Sequence, residues 1–206
     1  MTHIETLSDE LERAIALTEG MVSADEARLL HDLARDAKDG VIVEVGSYRG
    51  RSTVALACGS RAGARAPVYA IDPHEPFIGV LGGRFGPDDR RAFYRAMIET
   101  GAWDLVRLVN LSSEIVTSAW SQRVALLWID GDHRYEGVRR DLDCWSRHLV
   151  PGAVVAFDDA TDPTLGPSRL IEALVRQGRL VPLASVGKVR AFTWQRPIAT
   201  RRQSER

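Results

Sequence analysis

Five short apolar runs set the rhythm of the chain: "VIVEVG" from Val41, "PVYAID" from Pro67, "LVRLVNL" from Leu105, "VALLWID" from Val124 and "AVVAF" from Ala153. They are rich in β-branched residues and lack polar alternation, as expected of strands covered on both faces. Between them apolar positions recur at helical spacing. The pattern predicts helices over 6–19, 51–59, 88–100, 135–148 and 168–177, and another that opens at Ser23 and closes at Asp39-Gly40. Ser23 with Glu26 three positions later forms a capping box. Tyr135, Val138, Leu142 and Trp145 share one helical face, which is expected to turn to the core. Trp103 and Trp120 are read as structural too. Pro151-Gly152 reads as a turn into the fifth strand, "LVPLASVG" and "VRAFTWQ" as a closing hairpin, and the polar tail 197–206 as disordered.

Strands alternating with helices imply a mostly parallel sheet with helices on both faces. Ligands of such sheets bind outside the carboxyl ends of the strands. Those ends carry acids: Glu44, Asp72, Asp130, and the pair Asp158-Asp159. A carboxylate at the end of a buried strand is costly unless a cation or hydrogen-bond donors meet it. The stretch "HEPFIGVLGGRFGPDD" is long for a connector and rich in Gly and Pro, so 74–90 is read as a lid loop. Phe77, Arg84 and Phe85 within it are candidate acceptor contacts.

Composition narrows the class. The 206 residues suffice for one domain, read as 1–196 with N-terminal helices over 1–38. A formal net charge of −1 offers no bulk attraction to nucleic acid or to a membrane surface. No apolar run approaches the roughly 18 residues of a membrane span. The opening "MTHIETLSDELERAIAL" is acidic where a signal peptide is basic. The two cysteines, Cys58 and Cys144, lie in apolar-periodic segments and read as free, buried thiols. A cytoplasmic setting is the expectation.

The first βα junction, "VEVGSYRGRS", has Gly46 for a tight turn and Gly50 for close helix packing, and it turns backbone N–H groups toward a ligand. Its G-x-x-x-G spacing is not the full dinucleotide fingerprint. Asp72 ends the second strand, where an acid accepts from both ribose hydroxyls of an adenosine cofactor. Glu44 beside the turn repels a pyrophosphate but suits an amine and a sulfonium, which favours S-adenosylmethionine over NAD.

Asp130, Asp158 and Asp159 offer hard oxygen ligands suited to Mg2+, or to Mn2+ or Ca2+, rather than to zinc. A divalent cation stabilises an alkoxide and aligns it with a methyl donor. His133 and Asp132 stand beside the metal ligands as candidate bases.

Acid-x-Gly after strand one, "IDP" after strand two and "LLWIDGDHRYEGVRRDL" after strand four resemble the class I S-adenosylmethionine-dependent methyltransferases, over roughly residues 20 to 195. The resemblance implies a Rossmann-like α/β fold with a seven-stranded, mostly parallel sheet and a C-terminal antiparallel hairpin. It implies that Glu44, Gly46, Tyr48, Ser52 and Asp72 line the methionine and ribose parts of the cofactor, that Ser113 lies near the adenine, and that Asp130 borders both cofactor and metal. The adjacent acids Asp158-Asp159 are similar to the cation-dependent O-methyltransferases of macrolide and aminocoumarin sugars, whereas catechol-type enzymes end this motif in Asp-Asn. In that group the base is an Asp two positions, or a His three positions, after the first metal ligand; this chain has both, and His133 is preferred. The mycobacterial methylmannose polysaccharide methyltransferases are similar in size and plan. The expected activity is thus Mg2+-dependent O-methylation of a sugar, glycoside or oligosaccharide hydroxyl by a homodimer or higher homo-oligomer. The alternatives are a catechol-type or other small-molecule O-methyltransferase, an NAD-dependent oxidoreductase, and a non-catalytic S-adenosylmethionine-binding module.

Overall fold

The structure is a computed structural model and describes residues 7–196; the tail expected to be disordered lies outside them. In chain order the first elements are α1 (Leu7–Ala16), α2 (Ala24–Asp36), β1 (Val41–Val45), α3 (Arg51–Ala62), β2 (Val68–Ile71), β3 (Phe77–Ile78), β4 (Arg84–Phe85) and α4 (Pro87–Glu99). A single 3-10 turn at Ala102–Asp104 then leads to β5 (Val106–Val109), α5 (Ser113–Ser118), β6 (Val124–Ile129) and α6 (Tyr135–Ser146). The chain ends in β7 (Leu149–Phe157), α7 (Gly166–Arg176), β8 (Leu180–Val186) and β9 (Val189–Trp194).

Seven strands make one sheet in the order β5-β2-β1-β6-β7-β9-β8. The first five are parallel, β9 joins β7 antiparallel, and β8 closes the edge. Every residue of β1 and β6 is buried, as their apolar runs require, Glu44 of β1 included. Trp128, Phe157 and Trp145 are among the largest wholly buried side chains. Each such side chain contributes about 1.5–3 kcal/mol of burial free energy. Among the described residues no helix is long and apolar enough to cross a membrane.

The Ser23–Glu26 capping box forms: the Ser23 hydroxyl accepts from Glu26 N–H, and the Glu26 carboxylate accepts from Ser23 N–H at 2.7 Å. Helices α2 and α3 lie close because residue 59 is glycine; a Cβ there would stand 2.0 Å from the His31 carbonyl oxygen.

Three expectations change. Pro151-Gly152 lies inside β7 instead of before it: Leu149 pairs with Val124 and Val154 with Leu126, so β7 bulges past β6 at the exposed Pro-Gly. Trp103 is not a packing residue; the 3-10 turn presents it to solvent, 66% exposed. Cys144 is only half-buried, although both cysteines are free. Helix α5, only six residues long, is too short to announce itself by periodicity.

The register of the sheet positions the site. Val109, Ile71, Val45, Ile129 and Phe157 stand in one row across five strands. The next residue on each strand forms the carboxyl edge: Asn110, Asp72, Gly46, Asp130 and Asp158. Backbone bonds stitch that edge, from Asp72 N–H to Val109 O, Gly46 N–H to Ile71 O, Asp130 N–H to Val45 O and Asp158 N–H to Ile129 O, all between 2.8 and 3.1 Å.

Candidate active site

A cavity of about 560 Å3 opens over this edge. The loop after β1 forms one wall, the lid with its β3–β4 hairpin another, and the ends of β6 and β7 a third. Of the residues singled out in the sequence, Gly46, Tyr48, Ser52, Asp72, Ser113, Asp130, Asp132, His133, Asp158 and Asp159 all line it. Glu44 does not. It is wholly buried under the loop, where its two carboxylate oxygens accept from the hydroxyls of Ser52, at 2.6 Å, and Thr53. Burial pushes its carboxyl up to about 7 against the opposing pull of those two hydroxyls.

The first half of the cavity is tied together by Asp72. One of its oxygens accepts from the backbone N–H groups of Ser47 and Tyr48, both at 2.9 Å, and the other from His74 N–H at 2.8 Å. His74 is buried; its Nε2 donates to the Tyr48 carbonyl at 2.7 Å, and Asn110 Nδ2 meets its Nδ1 at 3.1 Å. Tyr48 and His74 both hold left-handed backbone, φ 47° and 49°. Such strain persists only where surrounding contacts overdetermine it. Ser113 is also buried. Its hydroxyl accepts from Trp145 Nε1 at 3.2 Å and bonds Asp141, whose carboxyl burial pushes up to about 6.

The second half is a charge cluster. His133 lies between Asp130, with Nε2 3.4 Å from one oxygen, and Asp159, with Nδ1 2.9 Å from another. Lys188 Nζ pairs with Asp158 at 2.6 Å and Asp159 at 3.3 Å. Burial disfavours the charged imidazole, but its two carboxylate neighbours outweigh that and lift His133 to about 10. Burial also disfavours the Lys188 ammonium, and Asp158 likewise outweighs it and raises the pKa. Burial, then Asp130, push Asp158 up to about 8, while the bond from His133 lowers Asp159. Three carboxyls thus meet two cations. Burial makes Asp130 and Asp158 hold a proton more tightly, and for Asp158 the neighbouring Asp130 adds to it.

The donor set fits a hard divalent cation. Ligand atoms of Asp130, His133 and Asp158 lie within 4.8 Å of one another. Asp158 Oδ1 is buried and has no hydrogen-bond partner, a costly condition that a ligand would relieve, whereas buried His133 Nε2 has the longer 3.4 Å ion pair to Asp130. Asp159, which the sequence places with these ligands, directs its oxygens to His133 and Lys188. Asp132 stands to the side, one oxygen accepting from Arg134 N–H and from its guanidinium.

Sequence reasoning missed Lys188, Asn110 and Asp141. Asp141 had a signal, an acid within the Val138, Leu142, Trp145 stripe. Lys188 had one too: the chain has just two lysines, Lys38 and Lys188. Of the lid candidates, Phe77 and Phe85 line the cavity and Arg84 does not.

Residues 43–160, more than half of the chain, match the family described as methyltransferase domain. The protein belongs to that family. Its fold is similar to that of an O-methyltransferase from Bacillus cereus in complex with SAH, at TM-score 0.65 and 18% identity, covering 93% of both chains. It is similar to the Streptomyces achromogenes O-methyltransferase involved in tomaymycin synthesis, in complex with SAM, at TM-score 0.63 and 20% identity over 91% of this chain and 90% of that one. It is also similar to a TDP-rhamnose 3'-O-methyltransferase of calicheamicin biosynthesis, at TM-score 0.61 and 15% identity over 91% and 93%. At these identities the likeness is one of fold.

Proposed function

We propose that the protein transfers a methyl group from S-adenosylmethionine to a hydroxyl of a sugar, glycoside or oligosaccharide, with Mg2+ or a similar divalent cation held by Asp130 and Asp158 beside Asp159. The observation that carries the reading is the shared cavity. A backbone cradle closed by Asp72 faces a buried acidic cluster in which Asp158 Oδ1 lacks a partner. Structural neighbours that bind SAM or SAH support the donor, and the TDP-rhamnose enzyme supports the acceptor class.

Gly46, Tyr48, Ser52 and Asp72 would hold the methionine and ribose parts, and Ser113 the adenine side. Glu44 acts beneath them by fixing Ser52 and Thr53. Bound divalent cation would supply Lewis-acid polarisation of the acceptor hydroxyl. In the transfer, the acceptor oxygen forms a bond to the methyl carbon, and the carbon–sulfur bond breaks with its electrons left on sulfur. A cation held by Asp130 would offset the carboxylate charge that keeps the His133 imidazole protonated; the neutral ring would then take the acceptor's proton at Nε2, with Asp159 holding Nδ1. Asp132 is the alternative base.

A second reading, a smaller aromatic or otherwise apolar acceptor, draws on the mouth of the cavity. Met21, Phe77, Val80 and Leu81 line it and are exposed. The same surface suits the aglycone of a glycoside. Calorimetry with S-adenosylmethionine and NAD, followed by a screen of sugar nucleotides, glycosides and catechols with and without EDTA, tests the proposal. Full turnover after thorough chelation would remove the cation, and tight NAD binding would remove the donor.

A further inference from the structure

Lys188 is carried on the tight turn between β8 and β9, and that turn is fixed from behind. Glu26 Oε1 accepts from Lys188 N–H at 2.9 Å, while the other Glu26 oxygen caps α2 through Ser23. A Cβ on Gly187 would lie 2.3 Å from Glu26 Oε1, so the turn is held hard against the capping box. From this anchor the Lys188 side chain reaches back to the two acids that follow β7, Asp158 and Asp159. The remaining oxygen of Asp158 is the buried one without a partner. An arginine-rich chain thus places one of its two lysines where a compact point charge, not a planar fork, meets the acids.

We propose that Lys188 is a tethered counter-cation of the acidic cluster: its ammonium neutralises Asp158 and Asp159 in the metal-free protein and competes with a divalent cation for Asp158, so that it sets how tightly that cation binds. This rests on the cation reading given above. The chemistry is simple. Asp130 and Asp158 cannot share a buried space as bare anions without a nearby positive charge. The lysine supplies that charge while the site waits, and it keeps the acids from collapsing onto other partners. A divalent ion that enters must take Asp158 from the ammonium, and the competition lowers affinity. Lys188 is therefore a positioning residue; Glu26 holds its backbone.

The experiment measures Mn2+ binding to cofactor-free protein by electron paramagnetic resonance, with melting temperature recorded at each Mn2+ concentration. Lys188→Met keeps the apolar stem and removes the charge. It should bind Mn2+ about tenfold more tightly than wild type, melt lower without metal, and gain more on its addition. Lys188→Arg, which keeps the charge, should stay within about threefold of wild type in Mn2+ affinity and serves as the check should the methionine variant fold poorly. If wild type binds Mn2+ and Lys188→Met binds it equally or more weakly, the competitor role is wrong while the cation site stands. If the arginine variant binds as tightly as expected of the methionine variant, charge is not what competes. If neither wild type nor Lys188→Met binds Mn2+, the cation site and the competition fall together.

Discussion

Gly46 and Asp130, 84 positions apart in sequence, are in such close contact that a Cβ on Gly46 would stand 2.3 Å from the Asp130 carbonyl oxygen. Gly46 also holds φ at +82°. The hinge between the donor-side loop and the acidic half is therefore a point where a side chain has neither room nor a relaxed backbone. Gly46→Ala should destabilise the fold by roughly 2–5 kcal/mol, from strain and overpacking together. Urea denaturation measures the first effect and S-adenosylmethionine titration the accompanying loss of binding. A variant with unchanged midpoint and affinity would contradict this account of the contact.

The proposed proton-accepting role is tested at His133 and Asp132. His133→Ala should lower kcat by about 100-fold or more at saturating donor and cation. Asp132→Asn, whose carboxylate is already engaged by Arg134, should lower it by less than about tenfold. The reverse order would move the base to Asp132.

Asp158→Asn tests the acidic cluster. It removes a buried acid crowded by Asp130, so thermal stability should stay near wild type while turnover falls by about 100-fold or more. Calorimetry should show S-adenosylmethionine binding within about threefold of wild type. Retained Mg2+-stimulated turnover would count against the assignment.

Glu44 gives the protein a pH dependence of known sign. An unfolded glutamate loses its proton near 4.5, whereas buried Glu44 keeps it to about 7. Between those values the folded chain binds the extra proton, so stability falls as pH rises through the window, by about 1–3 kcal/mol in all. Glu44→Gln should flatten that slope in cofactor-free protein. Parallel melting curves for the two proteins from about pH 5 to 8 would show that Glu44 does not titrate with folding.

The proposed acceptor role of the lid is tested at its tip. Leu81 is 71% exposed at the hairpin tip and lines the mouth. Leu81→Ser should raise KM for an apolar-bearing acceptor by about tenfold or less and leave donor affinity unchanged. A change in donor affinity would mean that the tip reaches the cofactor side.

The strands were legible because burial on both faces writes itself as unbroken apolar runs, and the helices because their stripes are regular. Short elements were not, since six residues of α5 or two of β3 carry no period. The acids at strand ends were visible for the same reason as the strands, and the register then gathers Asp72, Asp130 and Asp158 on one edge. What each acid touches was not legible. Asp159 turns toward His133 through a left-handed backbone, φ 47°, and Lys188 arrives from an antiparallel hairpin about 30 residues downstream whose position only tertiary pairing fixes. Glu44 looked like a ligand contact because it precedes the turn; its strand position instead points it under the floor.

The latch that Asp72 and His74 make between two loops has a consequence for how the enzyme diversifies. Because one side of the cleft is braced before anything arrives, a methyl donor seated there as proposed would meet a surface already shaped. The other side hangs on glycine-punctuated chain between Gly79 and Gly86, where exchanges disturb little else. If acceptors meet that loop as proposed, new ones could be acquired there, one residue at a time, without disturbing the braced side.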